Sequence, residues 1–172
     1  FDFVGQCAAK NGYRFVSIGY RLSPKHKYPC QIADVCAGYR AAVTFLEAEG
    51  VDAGKIILSG PSAGAHLSAI LCYSRTVQAQ FEVDISNVVG FIGVGGPYVV
   101  TGRQAFPVKF LLNQLFAKGY DRRLGDPYSL MDQSPIPMLL IQSKQDGVVA
   151  YSCAERFCEK ARRLDIECEL YT

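Results

Sequence analysis

The chain has 172 residues, 49% of them hydrophobic, with 18 Lys and Arg against 16 Asp and Glu. That length suits one domain with a sizeable core of its own. A formal charge of +2, spread along the sequence, leaves no basic patch for nucleic acid. No apolar run reaches the ~18 residues that a membrane span needs.

The opening Phe1-Asp-Phe-Val-Gly-Gln6 lacks the basic flank and apolar stretch of a signal peptide, and there is no initiator Met. The expectation is a single domain over residues 1–172, cut at both ends. Seven cysteines (Cys7, Cys30, Cys36, Cys72, Cys153, Cys158, Cys168) include no Cys-x-x-Cys pair, so a zinc or thioredoxin-like motif has no support. Cys36 and Cys158 fall on apolar helical stripes, where a thiol acts as a small hydrophobe. Reduced cysteines and a cytoplasmic location are expected, with export and one or two disulfides as the alternative.

Two hydrophobic periods alternate along the chain. Arg14 to Tyr20 is apolar and β-branched and reads as a strand. Ile32, Val35, Cys36, Tyr39, Val43 and Leu46 repeat one helical face, which Gly50 ends. Lys55 to Ser59 reads as a strand and Ala63 to Tyr73 as a helix. Val88 to Val94 is a third strand, closed by Gly95-Gly96-Pro97. Pro137 to Ser143 is a fourth. Ala154, Phe157, Cys158, Ala161 and Leu164 line one face of a helix with a charged opposite face, and Glu167 to Tyr171 alternates like a fifth strand.

Nearly unbroken apolar strands separated by helices imply an α/β fold, a three-layer sandwich around a mostly parallel sheet. Residues 99–134 are too long for a plain crossover. They hold a greasy helical stretch (Phe106, Phe110, Leu111, Leu112, Leu115, Phe116) and a polar loop from Asp121 to Pro127. The stretch is either an ordinary packing helix or a lid or pocket wall over the ligand crevice. Tyr98, directly after the third strand, is a candidate substrate contact.

Gly60-Pro-Ser62-Ala-Gly64 is a Gly-x-Ser-x-Gly between a strand and a helix, the context that a nucleophile elbow requires. A serine at so sharp a turn is held in strained backbone geometry with its hydroxyl exposed, and the flanking residues must be small. The helix beyond it offers the N–H of Ala63 to an oxyanion, with favourable dipole sign. A phosphate loop is the competing reading, but no Gly-Lys-Ser/Thr follows.

Here the sequence resembles a known family. Tyr20-Arg-Leu-Ser-Pro-Lys-His-Lys-Tyr-Pro29 resembles the Tyr-Arg-Leu-Ala-Pro-Glu-His-x-Tyr-Pro segment of hormone-sensitive-lipase-like esterases, in the α/β-hydrolase superfamily. Asp34-Val and Ala37-Gly-Tyr39 resemble the helix that follows it. Gly60 to Leu67 resembles the family's Gly-Asp-Ser-Ala-Gly-Gly-His-Leu elbow. Pro137 to Val149 resembles the strand and loop that carry the triad acid. The resemblance implies a partial α/β-hydrolase fold whose His-Gly-Gly-Gly oxyanion loop would precede Phe1 and whose triad histidine would follow Thr172.

His66 lies one helical turn beyond Ser62 and reads as a structural hydrogen-bonding residue, and His26 as a turn residue. Both also precede the acid, against the family's chain order of Ser, Asp, His. Asp146 is the best acid, to orient a histidine and stabilise its imidazolium. Asp121 and Asp126 are rivals in a loop expected to be exposed, and Asp34 reads as a first-turn helix residue. The site expected is therefore Ser62, Asp146, the Ala63 N–H and Tyr98. It would cleave small to medium carboxylic esters through an acyl-enzyme, with no metal or organic cofactor. An amide-directed hydrolase or a non-catalytic binding protein on the same fold are the alternatives.

Overall fold

The computed structural model describes residues 2–102, 104 and 106–172. In chain order the elements are α1 (Asp2–Lys10), α2 (Cys30–Ala48), β1 (Ile56–Pro61), α3 (Ala63–Tyr73), α4 (Arg75–Gln80) and β2 (Val88–Val94). Then follow α5 (Phe106–Leu115), a 3-10 turn (Arg122–Gly125), α6 (Pro127–Leu130), β3 (Met138–Ile141), α7 (Tyr151–Arg163) and β4 (Cys168–Tyr171). The four strands pair all-parallel in the order β1-β2-β3-β4. Each parallel neighbour is reached through intervening helix, as a parallel connection demands.

Register lines up Leu58, Phe91, Met138 and Cys168 across the sheet. Side chains alternate faces along a strand, so Leu140 shares the face of Met138. On that face Phe91 meets Tyr73 of α3 edge-on, Tyr73 meets Phe157 of α7, and Phe157 stacks on Tyr98 at 4.7 Å between ring centroids. Both helices therefore cover one side of the sheet, one helical layer of the expected sandwich. Burying each of Phe91, Leu140 and Phe157 contributes roughly 1.5–3 kcal/mol. On the opposite face Ile57 remains half exposed.

α2 buries Ile32, Val35, Cys36 and Tyr39, the i, i+3, i+4, i+7 stripe expected, and Gly50 closes its end at φ +68°. α7 buries Ala154, Phe157, Cys158 and Ala161 in the same spacing, with its charged face outward. Cys158 is joined to Cys168 of β4, so the expectation of seven reduced thiols is not met at this pair, while the other five are free.

Three segments differ from the sequence reading. Residues 13–20 pair with no strand among the described residues. Ile18 instead lies against α2, so close to Gly38 that a Cβ there would sit 2.5 Å from its Cγ2. β-branched composition fits a strand, but only a ladder partner makes one. α1 is the second difference: Phe3, Val4, Cys7 and Ala8 share one face of it, but none of its residues is buried. α4 has six residues, too short to show a period, and starts where the Ser74 hydroxyl accepts from the Val77 N–H.

Candidate active site

The carboxyl end of β1 runs into the amino end of α3 with a single residue between them. That residue is Ser62, at φ 49° and ψ −115°. A positive φ on a non-glycine costs on the order of 1–3 kcal/mol and persists only where its surroundings impose it. Two contacts impose it here. The Ser62 N–H donates to the Val94 carbonyl at 2.8 Å, fastening the turn to the end of β2. Beneath it, a Cβ on Gly60 would fall 2.5 Å from the carbonyl carbon of Gly64. A Cβ on Gly64 would meet only Pro61 Cδ, at 3.5 Å. The need for smallness is therefore strict at Gly60 and not at Gly64. The turn leaves Ser62 and Ala63 exposed. Ala63 is the first residue of α3, so its N–H has no intrahelical acceptor and points out of a helix N-terminus.

Asp146 follows β3. The Gly95 N–H donates to the Ile141 carbonyl at 2.9 Å, and Asp146 Oδ2 lies 3.7 Å from where a Gly95 Cβ would be. Ser62 and Asp146 thus stand at the carboxyl ends of β1 and β3, flanking the exit of β2, with strand ends about 10 Å apart from two inter-strand spacings. Asp146 Oδ1 accepts from the N–H groups of Val148 (2.8 Å) and Val149 (3.0 Å), and Oδ2 accepts from Gln142 Nε2 at 2.9 Å. The two backbone donors, aided by Gln142 and opposed by modest desolvation, hold its carboxyl below the usual range. It is an anion at neutral pH.

Ser62 and Ala63 open into a cleft of about 200 Å³. Tyr20 and Leu22 of the Tyr-Arg-Leu segment line it, with Leu111 and Leu112 of α5 and Val148 and Val149 beside Asp146. α5 therefore forms one side of the cleft, with Val108 and Leu112 buried and Phe106 and Phe110 facing out. The Tyr-Arg-Leu segment is positioned by Arg21. Its backbone N–H and its guanidinium (Nε and Nη2, both 2.8 Å) donate to Asp34. Asp34 sits past the first turn of α2, so its role is this clasp and not the helix end.

Two placements correct the sequence reading here. Tyr98 is 1% exposed, its ring wedged where Cβ atoms on Gly93 and Gly96 would overlap it, and it does not line the cleft. The glycines flanking it were the available signal, since two missing side chains make the slot for one ring. Asp126 is fully buried, accepting from the Val100 N–H (2.8 Å), Thr101 Oγ1 (2.8 Å) and Ser129 Oγ (2.6 Å). It anchors the chain leaving β2 and is no rival acid, whereas Asp121 is paired with Arg123 at the surface. The hydrophobic lining from Leu22, Leu111 and Val148 carries no sequence mark that separates it from core.

His66 is 4% exposed, with Nε2 2.8 Å from the Gly125 carbonyl. A carbonyl only accepts, so the ring donates from Nε2. Burial pushes its pKa down, and it is neutral at pH 7. His26 is held in a turn, its N–H donating to the Leu22 carbonyl and its carbonyl accepting from Gln31 Nε2. Among the described residues no group of three or more His, Cys, Asp or Glu could hold a metal ion. No helix among them is long and apolar enough to cross a membrane.

Comparison with known proteins agrees with this architecture. The chain is 29% identical to esterase LipC of Mycobacterium tuberculosis over 171 residues, covering 90% of this chain and 41% of LipC. It is 46% identical to arylacetamide deacetylase of Bos taurus over 59 residues, 31% of this chain and 14% of that protein. A lipase/esterase from Lactobacillus plantarum superposes with a TM-score of 0.81 at 20% identity, covering 99% of this chain and 71% of the other. This last likeness shows the fold. The chain spans less than half the length of LipC. The family model described as BD-FAE matches residues 2–161, and the chain belongs to that family, with an α/β-hydrolase fold.

Proposed function

We propose that the whole protein hydrolyses small to medium carboxylic esters through an acyl-enzyme formed on Ser62. The observation that carries this is the strained, exposed Ser62 at a helix N-terminus, opening on an apolar cleft beside an anionic Asp146. Ser62 Oγ attacks the ester carbonyl. The Ala63 N–H donates to the oxygen that becomes negative, one of the donors such an oxyanion needs. Asp146 holds a histidine in the tautomer that takes the Ser62 proton and returns it to the leaving alcohol. That histidine is neither His66, whose ring is committed to Gly125, nor His26, which does not line the cleft. Water then attacks the acyl carbonyl by the same route and frees the acid. The apolar lining favours acyl or alcohol chains without charge.

A second reading, amide hydrolysis by the same groups, is favoured by the likeness to arylacetamide deacetylase. The two are separated by assaying the full-length protein on p-nitrophenyl butyrate and p-nitroacetanilide. Turnover of the ester, lost with Ser62→Ala and reduced about 10⁴-fold in kcat with Asp146→Asn, supports the proposal. Faster turnover of the anilide would give the second reading. No turnover of either would remove both.

A further inference from the structure

Gln142 directly follows β3, its backbone N–H donating to the Tyr171 carbonyl at 3.0 Å. Its side chain is 2% exposed, an uncommon setting for a carboxamide. Nε2 donates to Asp146 Oδ2 at 2.9 Å and to the Val149 carbonyl at 3.2 Å, while Oε1 has no partner. Both neighbours only accept, so chemistry dictates which end of the amide faces them. An unpaired buried acceptor is a cost that a methionine of similar length would not carry. The fold keeps an amide where an apolar side chain would fill the same space, and the amide's donor end reaches the carboxylate.

We propose that Gln142 is a positioning residue for Asp146, fixing the rotation of its carboxylate so that the remaining lone pair of Oδ2 faces the histidine. The inference rests on the reading of Asp146 as the acid of the site. Oδ1 is filled by the Val148 and Val149 N–H groups. Gln142 takes one lone pair of Oδ2, and the other is open beside Gly95, at the exit of β2. A histidine N–H that arrives over Gly95 finds one acceptor in one orientation. Without the Gln142 donor only the two bonds at Oδ1 hold the carboxylate, and Oδ2 can tilt about that end and aim its lone pair out of line, at a cost in productive geometry.

The test compares Gln142→Met, Ser62→Ala and the unaltered full-length protein. Gln142→Met should lower kcat about tenfold with KM little changed, since it removes one charge-assisted hydrogen bond. Its melting temperature should stay within a few degrees, because the lost bond is offset by the removed orphan acceptor. The Asp146 carboxyl, followed by ¹³C NMR and assigned with Asp146→Asn, should titrate at higher pH in Gln142→Met. An unmoved carboxyl midpoint, or an unchanged kcat, overturns the proposal. So does a kcat loss that merely accompanies a large fall in melting temperature. If Ser62→Ala retains activity, the reading of the site has failed, and the carboxyl midpoint still reports whether Gln142 acts on Asp146.

Discussion

Gly60 lies so close beneath Gly64 that a Cβ on it would stand 2.5 Å from the Gly64 carbonyl carbon, 2.8 Å from its oxygen and 2.9 Å from the Ala65 nitrogen. These are backbone atoms of α3, which cannot swing aside as a flexible side chain can. Gly60→Ala should therefore push α3 away from β1 and cost at least the top of the ~1–3 kcal/mol range for overpacking. Gly64→Ala, facing only Pro61 Cδ at 3.5 Å, should be neutral or stabilise by about 0.4–1 kcal/mol through the unfolded chain. Urea melts of the two variants check this, and equal losses would contradict it.

Asp126 gives a second prediction. Asp126→Asn replaces an acceptor of three hydrogen bonds with a group that also presents a donor to donors. The loss should be about 2–3 kcal/mol, a fall in melting temperature of roughly 5–10 °C. Asp121→Asn, at the surface, should move it little. A thermal melt in which both variants behave alike would contradict the buried anchor.

The buried His66 predicts acid sensitivity of known sign. Its folded pKa lies below the 6.5 of an exposed histidine because burial penalises the imidazolium. Below about pH 6.5 the unfolded chain takes up a proton that the folded chain refuses, so stability falls there until the folded pKa is passed. Above pH 6.5 the group contributes no slope. His66→Gln keeps a donor for the Gly125 carbonyl and does not titrate. Urea midpoints between pH 7.5 and 5 should fall for the unaltered chain and flatten in the variant. Parallel curves would contradict the buried neutral ring.

The bridged Cys158–Cys168 pair predicts a thiol count. Alkylation of the denatured, unreduced protein should modify five of the seven cysteines of these 172 residues, and all seven after reduction. Seven before reduction would contradict the bridge.

Local pattern made much of this structure legible. α3 and β2 begin and end where the sequence places them, because an unbroken apolar run rich in Ala and Leu after the elbow and a β-branched run record elements buried on most sides. Ser62 was legible because the elbow needs its chemistry within five adjacent residues. What local pattern cannot record is pairing and depth. Arg14 to Tyr20 has the composition of a strand but no ladder partner among the described residues. Asp126 looks exposed among Asp121, Arg122 and Arg123, and is buried only because Val100, Thr101 and Ser129 close around it. Tyr98 was misplaced for the same reason, since its slot is made by Gly93 and Gly96 together with Phe157 across the core.

Ser62 as the nucleophile is the claim on which the rest depends. The direct measurement is to label the full-length protein with a fluorophosphonate, digest it and locate the phosphonylated residue by mass spectrometry. A phosphonate bonded to Oγ mimics the tetrahedral intermediate, and only a serine activated in place reacts quickly. One modified peptide, containing Ser62, is expected, with no labelling in Ser62→Ala. Labelling at another serine, or labelling that survives the substitution, would contradict it.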